Sequence, residues 1–403
     1  MLSENLIGKF NSIFGIKDII CLIILLVLLI MLYQSLFFIF RDKKNSETYN
    51  KLKNEEPEDL TYDDLKSTPL LNIVVPAWKE GDLFRKCLDS IKLLKYPRIK
   101  VIVNAGGWSK TIEIANSFKK LDRFIVLRQK SGSHRPSHGK IRAINKCLEY
   151  IEEGLVYFID ADSYLNDEII LRMIHPIINM NQYAVAGGVR PLKEQMRINL
   201  VKYLIFDRFN LTLKRKTTPP PITGANFCIK MNILNSINNR FKESRKIATD
   251  LSMGLDLAKK DFSIFQLYNY SHRIYVDYPT TLPKYIDQKK IWIENGLVFS
   301  IKNKRKSQIL RYIVLNLVSL YVVTNPIFIV FNIKIFILGL LIFLSLYLVK
   351  IRKLFFFKMC VDAQNRATYG FLFFVKLIFY VYFEAFSILL ITFHFLSNKK
   401  NLL

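Results

Sequence analysis

The stretch Leu155-Val156-Tyr157-Phe158-Ile159-Asp160-Ala161-Asp162 decides the fold, because five apolar or aromatic residues run directly into two carboxylates. This pattern predicts a buried β-strand that ends at an acidic turn. Side chains at positions i and i+2 of such a turn can converge on one cation, and Mg²⁺ or Mn²⁺ is typically held by one or two carboxylates plus substrate phosphates. An Asp-x-Asp triplet can also be a solvated turn. Its position after an apolar run, in the middle of a membrane-attached chain, favours the metal site.

The residues around this stretch alternate between strand and helix patterns. The predicted strands are 71–75, 99–103, 124–127 and 155–159, and the predicted helices are 82–94, 111–121 and 140–152. Short strands that alternate with helices of about a dozen residues indicate an α/β fold with a mainly parallel sheet and ligands at the C-terminal ends of its strands. The second half is less regular, with a predicted strand at Ala184–Val189 and a long amphipathic helix at Leu192–Leu213.

Long apolar segments lie at both ends of the chain. Ile19 to Phe40 is 22 residues without a charge, which is long enough to cross a bilayer. Ile309 to Val349 is too long for one span and predicts two, joined by a turn either at Asn325-Pro326 or at Asn332 to Lys334. Thr368 to Leu396 predicts a last span. We therefore expect one N-terminal and three C-terminal transmembrane helices.

The last predicted span contains two charged residues, Lys376 and Glu384, which lie about two helical turns apart. Charges inside a membrane usually face protein or water and form pairs. A role in the path of a lipid or a polymer is one interpretation. The other is that Lys376 lies at the interface and extends its ammonium to the membrane surface.

Basic residues set the predicted orientation. Arg41, Lys43 and Lys44 follow the first span, and five more precede the last one: Lys350, Arg352, Lys353, Lys358 and Arg366. By the positive-inside rule both regions are cytoplasmic, so the sequence predicts an integral membrane protein of the cell membrane with residues 41–308 inside the cell.

The charge of the central region bears on its partners. It carries 47 Lys and Arg against 29 Asp and Glu, and thus +18 of the chain's net charge of +26. Such a charge suits anionic lipids and phosphorylated substrates. Because the basic residues are scattered and no known nucleic-acid module is visible, we expect no nucleic acid partner. The five cysteines have no Cys-x-x-Cys spacing, which favours reduced thiols.

These observations predict four regions. Residues 1–40 are an N-terminal segment with a transmembrane helix, and residues 41–70 are a polar linker. Residues 71–300 form the cytoplasmic domain. Residues 301–403 form a basic juxtamembrane segment and the C-terminal transmembrane helices.

Six short segments, taken in order, carry a resemblance to a known family. They are Val74-Val75-Pro76-Ala77-Trp78-Lys79-Glu80, His138-Gly139-Lys140 with Ala143-Ile144-Asn145, Asp160-Ala161-Asp162, Gly224-Ala225-Asn226-Phe227, Thr249-Asp250, and Gln288 to Trp292. In these residues the chain resembles the processive, membrane-embedded family-2 glycosyltransferases, the group that contains hyaluronan, chitin, cellulose and poly-N-acetylglucosamine synthases. The resemblance covers about residues 71–300 and the arrangement of the flanking spans.

The resemblance implies an α/β domain with the GT-A nucleotide-diphospho-sugar transferase fold, and it implies a role for each matched residue. Asp250 would be the catalytic base. Asp160 and Asp162 would bind Mg²⁺ or Mn²⁺, and Asp160 would also contact the nucleotide. The residues expected to bind the donor or to position the substrates are Pro76, Ala77, Glu80, Asn104, Lys140, Gln288 and Trp292. Arg135 is a further cation that would lie near the diphosphate.

Each motif also has a structural interpretation. Pro76 would then merely end a strand, Gly224 would permit a turn, and Lys140 would be a solvated residue at a helix start. Asp250 could cap a helix, where a carboxylate offsets the helix dipole. Trp292, between Ile291 and Ile293, could anchor the chain at a membrane interface. The order of the motifs along the chain favours the catalytic interpretation of Asp250.

The chain departs from the family pattern in two places. Asn104-Ala105 stand where family members carry Asp-Asp, although an Asn can still hydrogen-bond a base edge. Ile291 stands where an Arg is expected. The neighbouring Lys289 or Lys290 would supply a cation there, without the two-pronged geometry of a guanidinium.

The expected activity is inverting, metal-dependent transfer of a hexosyl or N-acetylhexosaminyl group from a UDP-linked sugar to a growing polysaccharide. Two alternatives remain open. One is a single transfer to a lipid-linked acceptor, and the other is an inactive membrane scaffold that binds nucleotide or polysaccharide. Because four spans are a small set, a secretion channel would need a homodimer or an accessory subunit.

Overall fold

The computed structural model describes residues 40–129, 136–209, 222, 224–237, 249–302 and 304–397. Apart from Phe40, the predicted span Ile19–Phe40 lies outside the described residues, as does Arg135. The chain forms two compact units. The first, here called the sheet unit, comprises Thr48–Lys304 and Val361–Ala367, and the second, the helical unit, comprises residues up to Glu47, Arg305–Cys360 and residues from Thr368.

The sheet unit contains a seven-stranded and a three-stranded sheet. The strands are β1 Leu71–Trp78, β2 Ile99–Gly106, β3 Phe124–Arg128, β4 Leu155–Phe158, β5 Ser163–Tyr164, β6 Ala184–Ala186, β7 Val189–Pro191, β8 Phe227–Lys230, β9 Phe265–Gln266 and β10 Ile274–Val276. The large sheet has the order β3-β2-β1-β4-β8-β6-β9, and the small one has the order β5-β10-β7. In the large sheet only β8 runs antiparallel to its neighbours β4 and β6. The prediction of a mainly parallel sheet is therefore confirmed.

The helices of the sheet unit lie between these strands. They are α2 Asp82–Lys92, α3 Ser109–Ser117, α4 Pro136–Leu148, α5 Asp167–Asn179, α6 Asn199–Asp207, α7 Met231–Ser236, α8 Thr249–Lys259 and α9 Leu282–Lys302. A further helix, α1, occupies residues 40–54. Apolar residues of α4, α7 and α8 pack with those of β1, β2, β4 and β8 in one buried core.

The decisive strand β4 is buried along its whole length. It lies in register with β1, where Leu71 faces Leu155 and Val74 faces Phe158. Asp160 and Asp162 follow in a turn that is closed by a hydrogen bond from Ser163 N to Asp160 O at 3.1 Å. The chain then enters β5, which pairs with β10. The acidic turn is thus fixed at both ends, by the large sheet before it and by the small sheet after it.

Two predictions for the second half are corrected. The strand predicted at Ala184–Val189 is two strands in different sheets, because Gly187 and Gly188 leave the ladder to hydrogen-bond Asn226: Gly187 N donates to Asn226 O at 3.0 Å, and Asn226 Nδ2 donates to Gly188 O at 3.0 Å. The helix predicted over Leu192–Leu213 is, among its described residues, a 3₁₀ helix Lys193–Arg197 followed by α6, with extended backbone at Ile198 between them.

Residues 41–70, which the composition predicts as a polar linker, carry α1 and then contacts to the sheet unit. The Glu56 carboxylate accepts a hydrogen bond from Tyr268 N at 2.5 Å and lies 3.0 Å from His272 Nδ1. Arg172 on α5 donates to the carbonyls of Pro57 and Glu58. Residues 56–58 are therefore packed against the rest of the sheet unit.

The helical unit contains α10 Lys306–Thr324, α11 Phe328–Phe331, α12 Ile333–Cys360 and α13 Phe371–Ser397. Among the described residues, three helical stretches are long and apolar enough to cross a membrane: Lys306–Phe331, Ile333–Cys360 and Phe371–Ser397. The three predicted C-terminal spans are thus confirmed as candidates. The turn lies at Asn332, whose Oδ1 accepts hydrogen bonds from Lys334 N at 3.2 Å and Ile335 N at 3.3 Å, as an N-cap does.

Candidate active site

A cavity of about 290 Å³ lies at the C-terminal ends of β1 and β4. This edge is where parallel α/β sheets bind ligands. The cavity is lined by Pro76, Ala77, Trp78, Glu80, Gln129, Gly139, Lys140, Ala143, Asp160, Ala161 and Asp162. The structure therefore brings together six residues that the motifs single out: Pro76, Ala77, Glu80, Lys140, Asp160 and Asp162.

Pro76 occupies a position in β1 where a proline costs little. The strand is paired with β4 only from Leu71 to Val74, so Pro76 lies beyond the last paired residue on that side. The hydrogen bond that its missing N–H cannot donate is therefore not needed there. Pro76 and Ala77 form one wall of the cavity.

Lys140 and Asp160 form an ion pair inside the cavity. The Lys140 Nζ donates a hydrogen bond to Asp160 Oδ1, and both side chains keep about a third of their surface exposed. Burial alone would lower the pKa of Lys140, but the carboxylates of Asp160, Asp250 and Asp162 raise it above its ordinary value. The ammonium thus carries a positive charge in a cavity lined by acids.

Asp162 and Glu80 are the acids whose charges are least well compensated. Burial, followed by the charges of Asp160 and Glu80, raises the pKa of Asp162 to about 7. Burial, followed by the charge of Asp160, also raises the pKa of Glu80. Closely spaced carboxylates that resist ionisation attract a cation. The cavity is therefore suited to bind one.

Asp250 is brought to the same place by α8, which begins at Thr249. The link is Gly224: a Cβ atom there would lie 3.7 Å from Asp250 Cβ and 3.8 Å from Lys140 Nζ. Asp250, ninety positions after Asp160 in the chain, is thus close to Lys140. A side chain at position 224 would contact both Asp250 and Lys140.

Asn104 is placed differently from the other motif residues. Its side chain is 2% exposed and does not line the cavity. Its Nδ2 donates to Ala143 O at 3.3 Å, while its Oδ1 has no hydrogen-bond partner among the described residues. Asn104 thus contacts Ala143, which lines the cavity, from the side away from the cavity, and its Oδ1 is an acceptor that no described residue satisfies.

Gln288 and Trp292 meet on α9 around an arginine that the sequence reasoning missed. Arg208, which ends α6, donates from Nη2 to Gln288 Oε1 at 2.6 Å. Its guanidinium carbon lies 4.4 Å from the centre of the Trp292 ring and 5.0 Å from that of Tyr278. A guanidinium thus stands beside the motif, although position 291 is an Ile. No pattern within residues 288–292 could have indicated it, because Arg208 lies 80 residues earlier in the chain.

Trp78 was also missed as a lining residue. It lies in β1 between Ala77 and Lys79, inside a quoted motif, and its partly exposed ring adds an aromatic wall to the cavity. An aromatic ring at the wall of this cavity suits a base or a sugar ring. Its position within the motif was the available signal.

The carboxylates of the cavity are possible ligands of a divalent cation. Within the described ranges, no three His, Cys, Asp or Glu side chains are placed to hold one metal ion together. Asp160 and Asp162 supply two carboxylates, which is the number that Mg²⁺ often takes from the protein when substrate phosphates complete its coordination. The raised pKa of Asp162 points the same way, since a bound cation would favour the ionised form. The residues present fit the metal.

Comparison with known sequences defines the class. Residues 69–295 match the sequence profile described as glycosyltransferase like family 2, which is more than half of the chain. The chain belongs to this family. The matched region is a glycosyltransferase domain with the GT-A fold, as the motifs predict, and three C-terminal helices able to cross a membrane follow it.

Individual relatives match over shorter stretches. Glycosyltransferase GlyA of Streptococcus pneumoniae is 25% identical over 125 residues, which are 31% of this chain and 17% of that protein. The poly(ribitol-phosphate) beta-glucosyltransferase of Bacillus spizizenii is 24% identical over 106 residues, which are 25% of this chain and 16% of that protein. The chain thus spans less than a fifth of the length of either relative.

Among solved structures, the mannosyltransferase PcManGT from Pyrobaculum calidifontis, in complex with GDP-Man and Mn²⁺, superposes with a TM-score of 0.48 at 16% identity. The superposition covers 70% of this chain and 74% of that one.

Proposed function

We propose that this protein is an inverting glycosyltransferase that transfers a sugar from a nucleotide-diphospho-sugar, UDP-linked, to a growing polysaccharide at the cytoplasmic face of the cell membrane. The observation that carries the proposal is the meeting of Lys140, Asp160 and Asp162 in one cavity with Asp250 beside it. These groups would supply the base and the cations that the transfer needs.

Asp250 acts as the general base in this proposal. It accepts the proton of the acceptor hydroxyl as the hydroxyl oxygen bonds to the anomeric carbon. The bond between that carbon and the diphosphate oxygen breaks, and its electron pair leaves with the nucleoside diphosphate. Attack from the face opposite the diphosphate inverts the anomeric centre. The space beside Gly224, a neighbour of both Asp250 and Lys140, is where the reacting groups would meet.

Lys140 stabilises the leaving diphosphate. Its ammonium is held by Asp160 and keeps its positive charge, since the neighbouring carboxylates raise its pKa. Preorganised cations of this kind stabilise charge that develops in the transition state. Asp160 and Asp162 would hold Mg²⁺ or Mn²⁺, which when bound supplies further positive charge to the diphosphate.

The remaining motif residues position the two substrates. Pro76, Ala77 and Glu80 line the wall that would face the nucleotide. Asn104, behind the wall residue Ala143, would contribute its Oδ1. Gln288 and Trp292 would position the acceptor and the diphosphate, and an aromatic ring suits the face of a sugar. These roles extend the resemblance to processive synthases.

The membrane helices support polymer synthesis as the favoured version of the proposal. Domain 71–300 would work in the cytoplasm, between an N-terminal span and the helices of residues 301–403, with a partner subunit or a second copy completing a secretion path. A single transfer to a lipid-linked acceptor is the alternative, and the length of the product made from one donor separates the two. An inactive scaffold would release no nucleotide from any donor.

The experiment is Asp250→Asn in the purified full-length protein. We expect the loss of a general base to lower sugar transfer by about 10²–10⁴-fold while UDP binding stays intact. Asp261→Asn is the matched control, because Asp261 is exposed and has a φ of 55°, a conformation that Asn adopts readily. Unchanged turnover in Asp250→Asn would disprove the assignment of the base.

A further inference from the structure

Three arginines of the sheet unit, Arg190, Arg208 and Arg273, lie outside the cavity and are here called the arginine cluster. Each is held against aromatic rings. The Arg190 guanidinium carbon lies 3.9 Å from the centre of the Tyr275 ring, and that of Arg273 lies 4.7 Å from the centre of the Phe209 ring. Arg208 stacks on Tyr278 and Trp292, as described above.

The three guanidiniums belong to one neighbourhood. Arg190 in β7 and Arg273 directly before β10 lie on adjacent paired strands, where Ile274 faces Val189 and Tyr275 faces Arg190. Tyr278, two residues beyond β10, carries Arg208 over its ring. The small sheet thus sets Arg190 beside Arg273, and the turn after β10 adds Arg208.

The positive charge of the arginine cluster is not neutralised. Among the described residues, none of the three forms an ion pair with a carboxylate. The nearby acid Glu168 contacts Arg172 instead, at 3.3 Å. The Nε atoms of Arg190 and Arg273 are buried and have no hydrogen-bond partner within the part of the chain that the structure describes. Buried charged donors without partners are costly, and a ligand anion would satisfy them.

Burial has the effect expected for unpaired guanidiniums. It lowers the pKa of both Arg190 and Arg208, and the charge of Arg273 adds to the lowering at Arg190. A guanidinium nevertheless stays protonated at neutral pH. Arg273 is only 9% exposed, whereas Arg190 and Arg208 are partly exposed, so the arginine cluster can be reached from solvent.

A chain of contacts runs from the arginine cluster to the segment that neighbours the proposed base. A Cβ atom at Gly188 would lie 2.8 Å from Arg273 Nε. The carbonyl of Gly188 accepts the hydrogen bond from Asn226, and Asn226 follows Gly224 by two residues. The same Gly224 is a neighbour of both Asp250 and Lys140. Arg208, on the other side, contacts Gln288 and Trp292, the proposed acceptor residues.

We propose that the arginine cluster binds a phosphate group of the acceptor substrate. The inference rests on the proposed function and specifies its acceptor as an alcohol that carries a phosphate monoester or phosphodiester. Planar guanidiniums with free N–H groups match phosphate oxygens in a two-pronged manner. None of the three arginines lines the cavity that would hold the donor diphosphate, and Arg208 contacts Gln288 and Trp292, which would position the acceptor. The proposal therefore assigns the anion to the acceptor.

The test is calorimetric binding to the full-length protein in detergent micelles, without turnover. Two phosphate probes are compared with their alcohols: geranylgeranyl phosphate with geranylgeraniol, and glycerol 3-phosphate with glycerol. We expect at least one phosphate to bind about tenfold or more tightly than its alcohol, since hydrogen bonds to charged groups are stronger than those between neutral groups. The probe that binds identifies a lipid-borne or a soluble phosphate.

The variants Arg273→Gln and Arg190→Gln should each lose this preference for phosphate. Arg273 is buried, so apparent Tm is used to check that Arg273→Gln folds. If it does not fold, the more exposed Arg190→Gln and the charge-conserving Arg208→Lys test the proposal. Arg85→Gln, at an exposed position of α2, is the control that should keep the preference.

Three results would overturn the proposal. The first is equal binding of phosphate and alcohol by the wild-type protein, and the second is a preference that persists in folded variants. The third is a loss of UDP affinity in the variants as large as the loss of phosphate affinity, because the arginine cluster would then serve the donor. Failure of the proposed function is separate: it would appear as phosphate binding without any nucleotide release.

Discussion

The Lys140 ammonium contacts the Asp160 carboxylate across the cavity, which joins the start of α4 to the end of β4. Two motifs that lie 20 residues apart in the chain thereby form one charged surface. The contact leaves the lysine poised to exchange one anion for another when a diphosphate enters.

Lys140→Gln should lower kcat/KM for sugar transfer by about 10²–10³-fold, the usual loss when one preorganised donor to a developing anion is removed. The affinity for UDP should also fall, because the diphosphate loses a cation. Steady-state nucleotide release and UDP titration measure the two effects. Lys146→Gln is a matched control on the same helix, since Lys146 is exposed and contacts Glu149 at 2.6 Å. Equal losses in both variants would indicate a general effect on α4 instead.

Asp162→Asn should stabilise the metal-free protein at pH 8 and have little effect at pH 4. The pKa of Asp162 is raised from 3.8 to about 7 by burial and by the charges of Asp160 and Glu80. Between pH 3.8 and about 7, Asp162 is protonated in the folded protein and ionised in the unfolded chain. The free energy of unfolding of the wild type therefore falls as the pH rises from about 4 through about 7. Asn carries no charge to bury.

Because Asp162 is partly exposed, solvent screening reduces the expected stabilisation by Asp162→Asn at pH 8 to about 1 kcal/mol. This corresponds to about 2–4 °C in apparent Tm for a domain of this size. Thermal unfolding in EDTA at both pH values measures it. A variant that is less stable than wild type at pH 8 would contradict the assigned pKa.

Gly224→Ala should fold normally but impair transfer. The added Cβ would lie 3.7 Å from Asp250 Cβ and 3.8 Å from Lys140 Nζ, which is ordinary van der Waals contact. It would nevertheless fill the space where the acceptor hydroxyl must approach Asp250. Since a misplacement of about 1 Å can cost about 10²-fold in rate, we expect transfer to fall much more than donor binding. Gly370→Ala is the control, because nothing lies within 4 Å of a Cβ there. Full activity in Gly224→Ala would show that the acceptor does not use this space.

Glu384→Gln should destabilise the helical unit. Lys350 on α12 lies 2.6 Å from Glu384 on α13, and the two side chains are 13% and 20% exposed. Removing one partner of a buried ion pair leaves a charge to be compensated and costs about 3–5 kcal/mol, whereas replacing both can be nearly neutral. The double variant Lys350→Met/Glu384→Met should therefore recover apparent Tm in detergent. Lys376→Gln should have little effect on apparent Tm, because Lys376 is exposed and the ion pair of Glu384 is made with Lys350.

The predicted relation between Lys376 and Glu384 shows the limit of local spacing. The eight-residue separation places both on one side of a helix, but the acid is paired with Lys350 of a different helix. Likewise, the turn in residues 309–349 had two positions of equal merit by sequence. In the structure the chain stays helical through Asn325-Pro326, whereas Asn332 has extended backbone and accepts the N-cap hydrogen bonds.

The sequence by itself determined the strands and helices up to β4, the acidic turn and the three C-terminal helices, because each depends on local periodicity, chain length and residue type. Tertiary structure alone decided that Gly224 neighbours both Asp250 and Lys140, that Asn104 lies buried behind a cavity wall, and that Arg208 contacts Gln288. These relationships join residues from about 26 to 84 positions apart, and they depend on how the sheets pack and where the chain crosses between them. A pattern read over a few residues carries no information about such distances, since packing, and not propensity, brings those side chains together.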